Sequence, residues 1–356
     1  MSPAYKDACL FIDGEWIPAA ARDTSPVINP ATGETIGHVP HATQADLERA
    51  IASTQRGFKV WKKTSAYERA KVLRKTAALL RERSEAIATL LTLEQGKPLF
   101  EARYELASSA DYFEWFAEEG RRVYGRIVPS RNAHVQQLVK KDPIGPVAAF
   151  APWNFPAITP SRKLGAALAA GCSIILKPGE ECPATAVEIV RALQDAGLPD
   201  GVVNLLFGEP AMISQFLIES PVTRKVSFTG SVPVGRHLAA LAGQHLKPIT
   251  LELGGHAPVI VCEDADLDDV ARIVAAGKFR GTGQICLSPT RILVQKSVHD
   301  AFLDKFVQHT RDLKIGNGLD PDTQVGPLSN TRRIQAIDQL ITNARACGAR
   351  VMHGGE

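Results

Sequence analysis

Short apolar runs alternate with amphipathic helical segments from about residue 146 onward, and this alternation limits the fold more than any other feature of the sequence. The runs are apolar on both faces, as strands are when helices cover both sides of a sheet. Parallel strands need such crossover helices between them. The pattern therefore predicts an α/β fold with a doubly wound, Rossmann-type parallel sheet.

The predicted strands cover residues 135–139, 146–150, 173–176, 202–206, 225–228, 248–251 and 258–261. The helices between them are predicted to begin near Pro160, Pro183, Pro210, Val234 and Asp266. A second, shorter series follows Asp264, with a helix to Gly277, a strand at 291–295, helices from Val298 and Thr331, and a last strand from Arg350. The double glycine Gly254-Gly255 marks the expected boundary between the two series.

The first third of the chain is predicted to be helical. Apolar residues recur with helical spacing over 45–58, 65–83 and 99–121. The second of these segments opens on Ser65-x-x-Glu68, a sequence typical of a capping box. No strand is predicted in this part of the chain.

Composition excludes several classes of protein. The 41 basic and 38 acidic residues nearly balance, so neither nucleic acid nor an anionic membrane is an expected partner. The N-terminal apolar run is too short for a secretory signal, which favours a cytoplasmic location. The six cysteines lack Cys-x-x-Cys spacing and no close His/Cys cluster occurs, so neither a disulfide framework nor a metal site is expected.

Function is sought in the loops after the strands, because ligands bind there in open α/β sheets. Gly230-Ser231 and Gly235 span a strand-to-helix turn, where a backbone without Cβ atoms can approach a pyrophosphate. The spacing is neither the common dinucleotide fingerprint nor a P-loop. A plain tight turn is the alternative interpretation.

A second loop, Lys177-Pro178-Gly179-Glu180, places a cation and a carboxylate at a strand end. A carboxylate accepts hydrogen bonds from both hydroxyls of an adenosine ribose and repels a 2′-phosphate, so Glu180 favours NAD over NADP. A solvated Lys/Glu turn is the alternative.

A third loop presents Cys286 after Gly281 and Gly283. The glycines leave room for a substrate at the sulfur and for backbone N–H groups that face an oxyanion. An inert buried thiol is the default interpretation of any one cysteine.

Two further polar residues occur at strand ends. Glu252 ends an apolar strand, where its carboxylate is either solvated at the tip or partly desolvated and suited to general base work. Asn154 lies in the rigid loop Pro152-Trp153-Asn154-Phe155-Pro156, where its amide can donate to a developing oxyanion. A turn or helix-capping residue is the alternative for Asn154.

Taken together and in this order, these segments resemble the aldehyde dehydrogenase superfamily. Glu252 and Cys286 are 34 positions apart (286 − 252), as that family places its base and nucleophile. The resemblance extends over the chain from Phe11-Ile12-Asp13-Gly14-Glu15-Trp16 to its last residue. It implies that the Cys286 thiolate attacks an aldehyde, that Asn154 and the Cys286 N–H hold the oxyanion, that hydride passes to nicotinamide, and that water activated by Glu252 hydrolyses the thioester.

The same resemblance implies the cofactor site and the domains. The cofactor residues are Trp153, Asn154, Lys177, Pro178, Gly179, Glu180, Gly230, Ser231, Gly235 and Leu253. Glu180 makes NAD the expected cofactor, and NADP stays the alternative. The expected domains are an NAD-binding domain of residues 1–126 and 147–254, a bridging hairpin of 127–146 used in oligomer assembly, and a catalytic domain of 255–356.

Within the superfamily the chain is most similar to succinate-semialdehyde dehydrogenases, through the segments Glu94-Gln95-Gly96-Lys97-Pro98-Leu99 and residues 113–119. Arg162 and Arg280 match positions that hold the substrate's far carboxylate in that group, and guanidinium pairs bidentately with carboxylate. The expected substrate is a small aldehyde with a carboxylate tail. Glutarate and 2-oxoglutarate semialdehydes carry the same tail, and surface arginines with structural roles are the alternative.

The chain departs from the resemblance in two ways. Leu287 follows the nucleophile, so the second cysteine of a redox switch is missing and no such switch is expected. The family's Glu-x-Phe-Gly-Pro segment is not found before Glu356, so the catalytic domain is expected to be incomplete, with an open sheet edge and exposed apolar faces. A completed chain is expected to form a homo-oligomer.

Two other functions stay open at this point. A papain-like thiol hydrolase would use Cys286 with His299 or His309 as base and Asn317 as orienting residue. A noncatalytic remnant would bind NAD or a partner subunit without turnover. NADH formation from an aldehyde separates the enzyme from both.

Overall fold

The computed structural model describes residues 5–355. Its strands are β1 (Cys9–Ile12), β2 (Glu15–Pro18), β3 (Thr24–Ile28), β4 (Thr35–Pro40), β5 (Arg126–Val128), β6 (Gln137–Val139), β7 (Val147–Phe150), β8 (Ile174–Lys177), β9 (Val203–Leu205), β10 (Lys225–Gly230), β11 (Ile249–Leu253), β12 (Ala257–Val261) and β13 (Pro289–Val294). Its helices are α1 (Gln44–Trp61), α2 (Ala66–Glu82), α3 (Ser84–Gln95), α4 (Leu99–Arg121), α5 (Ile158–Ala169), α6 (Pro183–Asp195), α7 (Pro210–Glu219), α8 (Val232–Gln244), α9 (Leu267–Phe279), α10 (His299–Arg311) and α11 (Thr331–Ala346).

The main sheet has seven strands in the order β11-β10-β7-β8-β9-β1-β2. Strands β7 to β11 are parallel to one another, whereas β1 and β2 run antiparallel to their neighbours. After β7 the chain adds β8 and β9 on one side, then returns to add β10 and β11 on the other. Such a reversal opens a crevice at the carboxyl ends of the two adjacent strands, which here are β7 and β10.

The core lies around the middle of this sheet. Every residue of β7, β8 and β9 is buried, because helices cover both faces. This burial explains the continuous apolar runs in the sequence and confirms the predicted doubly wound α/β fold. Helices also contact one another across the core: the indole nitrogen of Trp61 in α1 donates to the carbonyl of Leu168 in α5 at 2.9 Å.

The N-terminal part differs from its purely helical prediction. Strands β1 to β4 and helix α3 were not predicted, since strands of four to six residues with mixed burial carry no clear period. The capping box at Ser65 is only half formed, because the Glu68 carboxylate pairs with Lys71 at 2.7 Å. A complete capping box instead begins α1, between Thr43 and Asp46.

A smaller unit follows the main sheet. Strands β12 and β13 form a two-stranded parallel sheet, and α9 and α10 pack on it around Val261, Ala271 and Phe302. The two sheets separate at Gly254-Gly255, and the division of the chain into domains stays a prediction. Ile260 in β12 and Leu293 in β13 are exposed.

The strand predicted from Arg350 was wrong. Residues 349–355 form no strand, and those after Ala349 are exposed. A strand needs a neighbouring edge with which to exchange hydrogen bonds, and among the described residues β12 and β13 pair only with each other. Over residues 5–355 we find no helix both long and apolar enough to cross a membrane.

Candidate active site

Four loops leave the main sheet at its carboxyl edge. The strand register aligns Phe150 with Lys177 and with Phe228, and it aligns Gly230 with Leu253. The segments that follow these strand ends therefore meet around the crevice between β7 and β10. They contain most of the site residues predicted from the sequence.

A buried ion pair contacts the backbone of the Asn154 loop. Lys97 and Glu105 lie 2.5 Å apart with almost no exposure of either side chain. The Lys97 ammonium also donates to the Asn154 carbonyl at 3.0 Å. The Glu105 carboxylate accepts the backbone N–H groups of Ala157 at 2.8 Å and Ile158 at 3.1 Å. The loop is thus held at Asn154 and at the residues that follow it, where α5 begins.

The side chain of Asn154 points to the Cys286 loop. Its Nδ2 donates to the carbonyl of Gln284 at 2.8 Å, two residues before the thiol. An amide nitrogen carries two hydrogens, so one donor remains available for a ligand. Asn154 and Cys286 therefore come from distant parts of the sequence to one place.

Cys286 is exposed at the end of a strained turn. Gly281, Thr282 and Gly283 all have positive φ, of 55°, 57° and 70°. Thr282 is β-branched, a residue type that rarely adopts this conformation. Its hydroxyl donates to the Gly326 carbonyl at 3.0 Å, which helps to hold the turn. The exposed thiol is open to a substrate.

Glu252 lies in β11, and its side chain is exposed, so the structure agrees with a solvated carboxylate at the strand tip rather than with a buried one. The segment that continues from β11 reaches the nucleophile loop, since a Cβ on Gly255 would lie 3.6 Å from the Cys286 carbonyl oxygen. Burial lowers the pKa of nearby Lys163 to about 8, and the charge of Glu252 opposes this shift. The Lys163 ammonium donates to Ser227 at 3.0 Å.

Two loops at the carboxyl edge fit a dinucleotide. Lys177 is buried and pairs with Glu180, whose carboxylate also accepts the Gly208 N–H at 3.3 Å. Helix α8 begins after Ser231, whose side chain does not cap the first N–H groups of the helix, so these groups can face a phosphate. Gly235 packs so closely on Leu253 that a Cβ would lie 2.5 Å from that side chain. These features suit ribose hydroxyls and a pyrophosphate.

The two predicted substrate arginines are exposed and lie against aromatic rings. Arg162 stacks on Tyr112 at 4.5 Å and donates to its hydroxyl. Arg280 lies 5.4 Å from the ring of Tyr104 and 5.9 Å from that of Phe155. Since Phe155 follows Asn154, Arg280 lies beside the Asn154 loop.

Sequence reasoning assigned no role to Lys97, Glu101 and Glu105. The sequence signal was available: Glu101 and Glu105 are four apart in a helical segment and therefore share one face of α4. Their partners could not be found, because hydrogen bonds to distant backbone groups leave no local pattern. Among residues 5–355, no group of three or more His, Cys, Asp or Glu side chains could hold a metal ion.

Comparisons with known proteins are consistent with this geometry. The model of the aldehyde dehydrogenase family matches residues 16–356. The chain is 51% identical to 4-(hydroxymethyl)benzenesulfonate dehydrogenase TsaD1 of Comamonas testosteroni over 97% of its length and 72% of that protein. It is 42% identical to the NADP(+) succinate-semialdehyde dehydrogenase GabD of Escherichia coli, with the same coverage of both proteins. The crystal structure of succinate-semialdehyde dehydrogenase from Burkholderia pseudomallei superposes with a TM-score of 0.96 at 43% identity, covering 98% of this chain and 72% of that one.

Proposed function

Because this chain belongs to the aldehyde dehydrogenase family, we propose that it oxidises an aldehyde with an anionic tail, using NAD and the Cys286 thiolate. The observation that carries the proposal is the hydrogen bond from Asn154 to the Cys286 loop at 2.8 Å. Arg280 lies beside the Asn154 loop against the ring of Phe155, and Arg162 stacks on the ring of Tyr112. A thiol, an amide donor and cations are the groups that such a reaction requires.

The first step forms a bond between the Cys286 sulfur and the aldehyde carbon. The carbonyl oxygen becomes an oxyanion, which the second hydrogen of Asn154 and the Cys286 N–H can stabilise. The dinucleotide, when bound, supplies the acceptor for the hydride that the carbon loses. A thioester on Cys286 remains.

The second step releases the acid. Glu252 accepts a proton from water, the water oxygen attacks the thioester carbon, and the Cys286 thiolate leaves. The exposed carboxylate of Glu252 lies in solvent, where it can return that proton. A thiolate leaves more readily than an alkoxide, which is the chemical reason for a cysteine here.

Succinate semialdehyde is the substrate that we propose first. Its far carboxylate can pair with the guanidinium groups of Arg162 and Arg280, which are both exposed and so remain available. The 42% identity to GabD supports this substrate. Glutarate semialdehyde carries the same charge on a longer chain.

A second candidate substrate is an aromatic aldehyde with a sulfonate group. The relative from Comamonas testosteroni is named for 4-(hydroxymethyl)benzenesulfonate, whose oxidation at the alcohol gives 4-formylbenzenesulfonate. Tyr112 lies beside Arg162, and Tyr104 and Phe155 lie beside Arg280, so a ring and a cation occur together at each position. Such a surface can contact both a benzene ring and an anionic group.

Glu180 supports NAD as the cofactor. Its carboxylate is partly exposed and lies next to Lys177 at the end of β8. A carboxylate there favours free ribose hydroxyls over a 2′-phosphate. GabD is named for NADP(+), whereas the similar enzyme from Sinorhizobium meliloti is named NAD-dependent, so the names of these relatives differ in cofactor.

The proposal also includes assembly of copies of this chain through the β5-β6 hairpin. All six residues of its two strands are exposed, and Ile127 and Leu138 are the most exposed apolar residues among them. Apolar residues in this arrangement are typical of a protein contact.

The test measures NADH formation by the purified chain with NAD and each of three aldehydes: succinate semialdehyde, 4-formylbenzenesulfonate and uncharged butyraldehyde. We expect turnover with a preference for an anionic aldehyde. Cys286→Ser should lower the rate by about a thousandfold or more while NAD binding, followed by tryptophan fluorescence, is retained.

Three results would contradict the proposal. Retained turnover in Cys286→Ser would remove this residue as the nucleophile. A folded chain that binds NAD but oxidises none of the aldehydes would be a noncatalytic NAD-binding protein. Ester hydrolysis in the absence of any aldehyde oxidation would favour a thiol hydrolase.

A further inference from the structure

Helix α4 presents two carboxylates, one turn apart, to the two loops of the active site. Glu101 accepts the Gly281 N–H, at 2.9 Å from one carboxylate oxygen and 3.2 Å from the other. Glu105 accepts the N–H groups of Ala157 and Ile158. The first contact holds the segment before Cys286 and the second holds the segment after Asn154.

Lys97 joins these contacts from the residues just before α4. Its ammonium is buried, pairs with Glu105 and donates to the Asn154 carbonyl. It also lies 4.3 Å from the centre of the Phe155 ring. Burial raises the pKa of Glu101, while the charges of Lys97 and Arg280 oppose the shift and that of Glu105 adds to it.

We propose that Glu101, Glu105 and Lys97 are positioning residues that hold the Asn154 loop and the Cys286 loop at a set spacing. This inference rests on the proposed function, in which Asn154 and Cys286 act on one carbonyl group. None of the three residues touches the substrate. They act through the backbone of the two loops.

The two loops need such positioning because the turn before Cys286 is strained and because the loops lie far apart in the sequence. Gly281 and Thr282 both have left-handed backbone conformations, and the hydrogen bond to Glu101 helps to retain them. The loops lie in distant parts of the chain, so neither can position the other by local structure. A 23-residue helix packed on α2 and α5 is a rigid element to which both can attach.

A purely structural role makes a different prediction. Glu105 also satisfies N–H groups at the start of α5, whose residue Ala157 provides no side-chain cap. If Glu105 only capped α5, its loss would lower the stability of the folded chain without changing the position of the Cys286 thiol relative to the oxyanion donors. The experiment must therefore measure that position rather than stability alone.

Two reactions of Cys286 separate the roles. Acylation by p-nitrophenyl acetate needs the thiolate and an oxyanion donor, whereas alkylation by iodoacetamide needs only the thiolate. Neither requires NAD or the natural aldehyde. Because Cys262 and Cys347 are also exposed, each rate constant is the part of the reaction that Cys286→Ala removes. The ratio of these two rate constants is the readout, and thermal unfolding checks that each variant is folded.

Three single variants in α4 are compared. Glu101→Ala removes the acceptor for Gly281, and we expect it to lower the acylation-to-alkylation ratio by about tenfold to a hundredfold. Glu101→Gln retains an acceptor oxygen and should recover most of the ratio. Glu114→Ala is the matched control, because Glu114 lies on the same helix but pairs with Arg81.

A double variant tests the other loop. Lys97→Met with Glu105→Gln avoids leaving one buried charge without its partner. It removes the donor to the Asn154 carbonyl, so we expect the same ratio to fall. A folded double variant with an unchanged ratio contradicts the role of this pair.

The outcomes also separate this inference from the proposed function. If acylation depends on Cys286 but Glu101→Ala keeps the ratio of Glu114→Ala, the positioning role is wrong and the nucleophile assignment stands. If Cys286→Ala is acylated at the same rate as the native chain, the nucleophile assignment is wrong and the positioning role fails with it.

Discussion

Asn154 shows at the scale of one residue how the site is assembled. Its backbone carbonyl accepts a hydrogen bond from Lys97, and its side-chain amide donates to Gln284. Its predicted role as an oxyanion donor came from its place between two prolines after a strand. Its partners came only from the structure, because both lie far away in sequence.

Arg280 is the residue on which substrate preference is best tested. We expect Arg280→Ala to lower kcat/KM for succinate semialdehyde by about tenfold to a hundredfold, since a charge-assisted hydrogen bond contributes about 1.5–3 kcal/mol. The value for uncharged butyraldehyde should change by about twofold or less. Steady-state NADH kinetics measure both.

Arg272→Ala is the control for this prediction. Arg272 lies on α9 close to Arg280 in sequence, but it pairs with Asp269 on the surface. It should leave both aldehydes unaffected. Equal losses for the charged and the uncharged aldehyde in Arg280→Ala would exclude a clamp for the anionic tail.

Cofactor choice can be tested at Glu180. Removing the carboxylate in Glu180→Ala removes its repulsion of a 2′-phosphate and its hydrogen bonds to the ribose. We expect the ratio of kcat/KM for NADP to that for NAD to rise by about tenfold. Glu181→Ala is the control, because Glu181 pairs with Arg332 instead. An unchanged ratio would show that Glu180 does not contact the ribose.

At the scale of the elements, carboxylates from one helix complete the N-terminus of another. Glu94 in α3 accepts the N–H groups of Ala184 and Thr185 at the start of α6, each at 2.9 Å. It also accepts the hydroxyl of Tyr5 at 2.6 Å. Helix α3 was missed in the sequence because it follows α2 directly, without a turn signal between them.

Burial makes the Glu94 contact dependent on pH. Desolvation raises the pKa of Glu94 from 4.5 to about 7 in the folded chain. Protonated Glu94 therefore stabilises the folded chain. This contribution is complete below the pKa of Glu94 in the unfolded chain and is lost as the pH rises through about 7. Glu94→Gln cannot ionise. Between pH 5 and pH 8, its stability relative to the native chain should therefore rise by about 1–3 kcal/mol.

Urea unfolding at both pH values measures this change. Glu85→Gln on the same helix is the control, since Glu85 is exposed and pairs with Arg103. It should show no such rise. A difference between Glu94→Gln and the native chain that is the same at both pH values would exclude ionisation of Glu94 as the cause.

At the scale of the whole molecule, the β5-β6 hairpin is the proposed contact between copies. Leu138 is 71% exposed there. Leu138→Asp places a charge where an apolar contact is expected. We therefore predict that this variant dissociates at a protein concentration about tenfold or more above that at which the native chain dissociates. Light scattering after size exclusion measures the assembly. Leu246→Asp, at a residue 91% exposed outside the hairpin, is the control.

Two observations would contradict the hairpin contact. The first is a native chain that stays monomeric at every concentration. The second is a Leu138→Asp variant that assembles at the same concentrations as the native chain and Leu246→Asp. Either result would leave the exposed apolar residues of the hairpin without a role in assembly of this chain.

The sequence by itself determined the sheet class and the loops in which we expect the function to lie. Alternation of apolar strands and helices is a local pattern, and the position of a residue after a strand can be read without knowing its neighbours in space. Glu252 shows the limit of this approach, because its exposure depends on what surrounds the tip of β11. Strand β1 shows another limit, since one of its two partners, β9, lies far along the chain.

Only the tertiary structure decided which of these residues act together. Lys97 and Glu105 lie in the first third of the chain, yet they hold the loop of Asn154, whose side chain in turn contacts Gln284. Hydrogen bonds between a side chain and a distant backbone group depend on packing in three dimensions and leave no spacing in the sequence. The strained turn before Cys286 has the same origin, because its backbone conformation is retained by contacts with α4 and with Gly326.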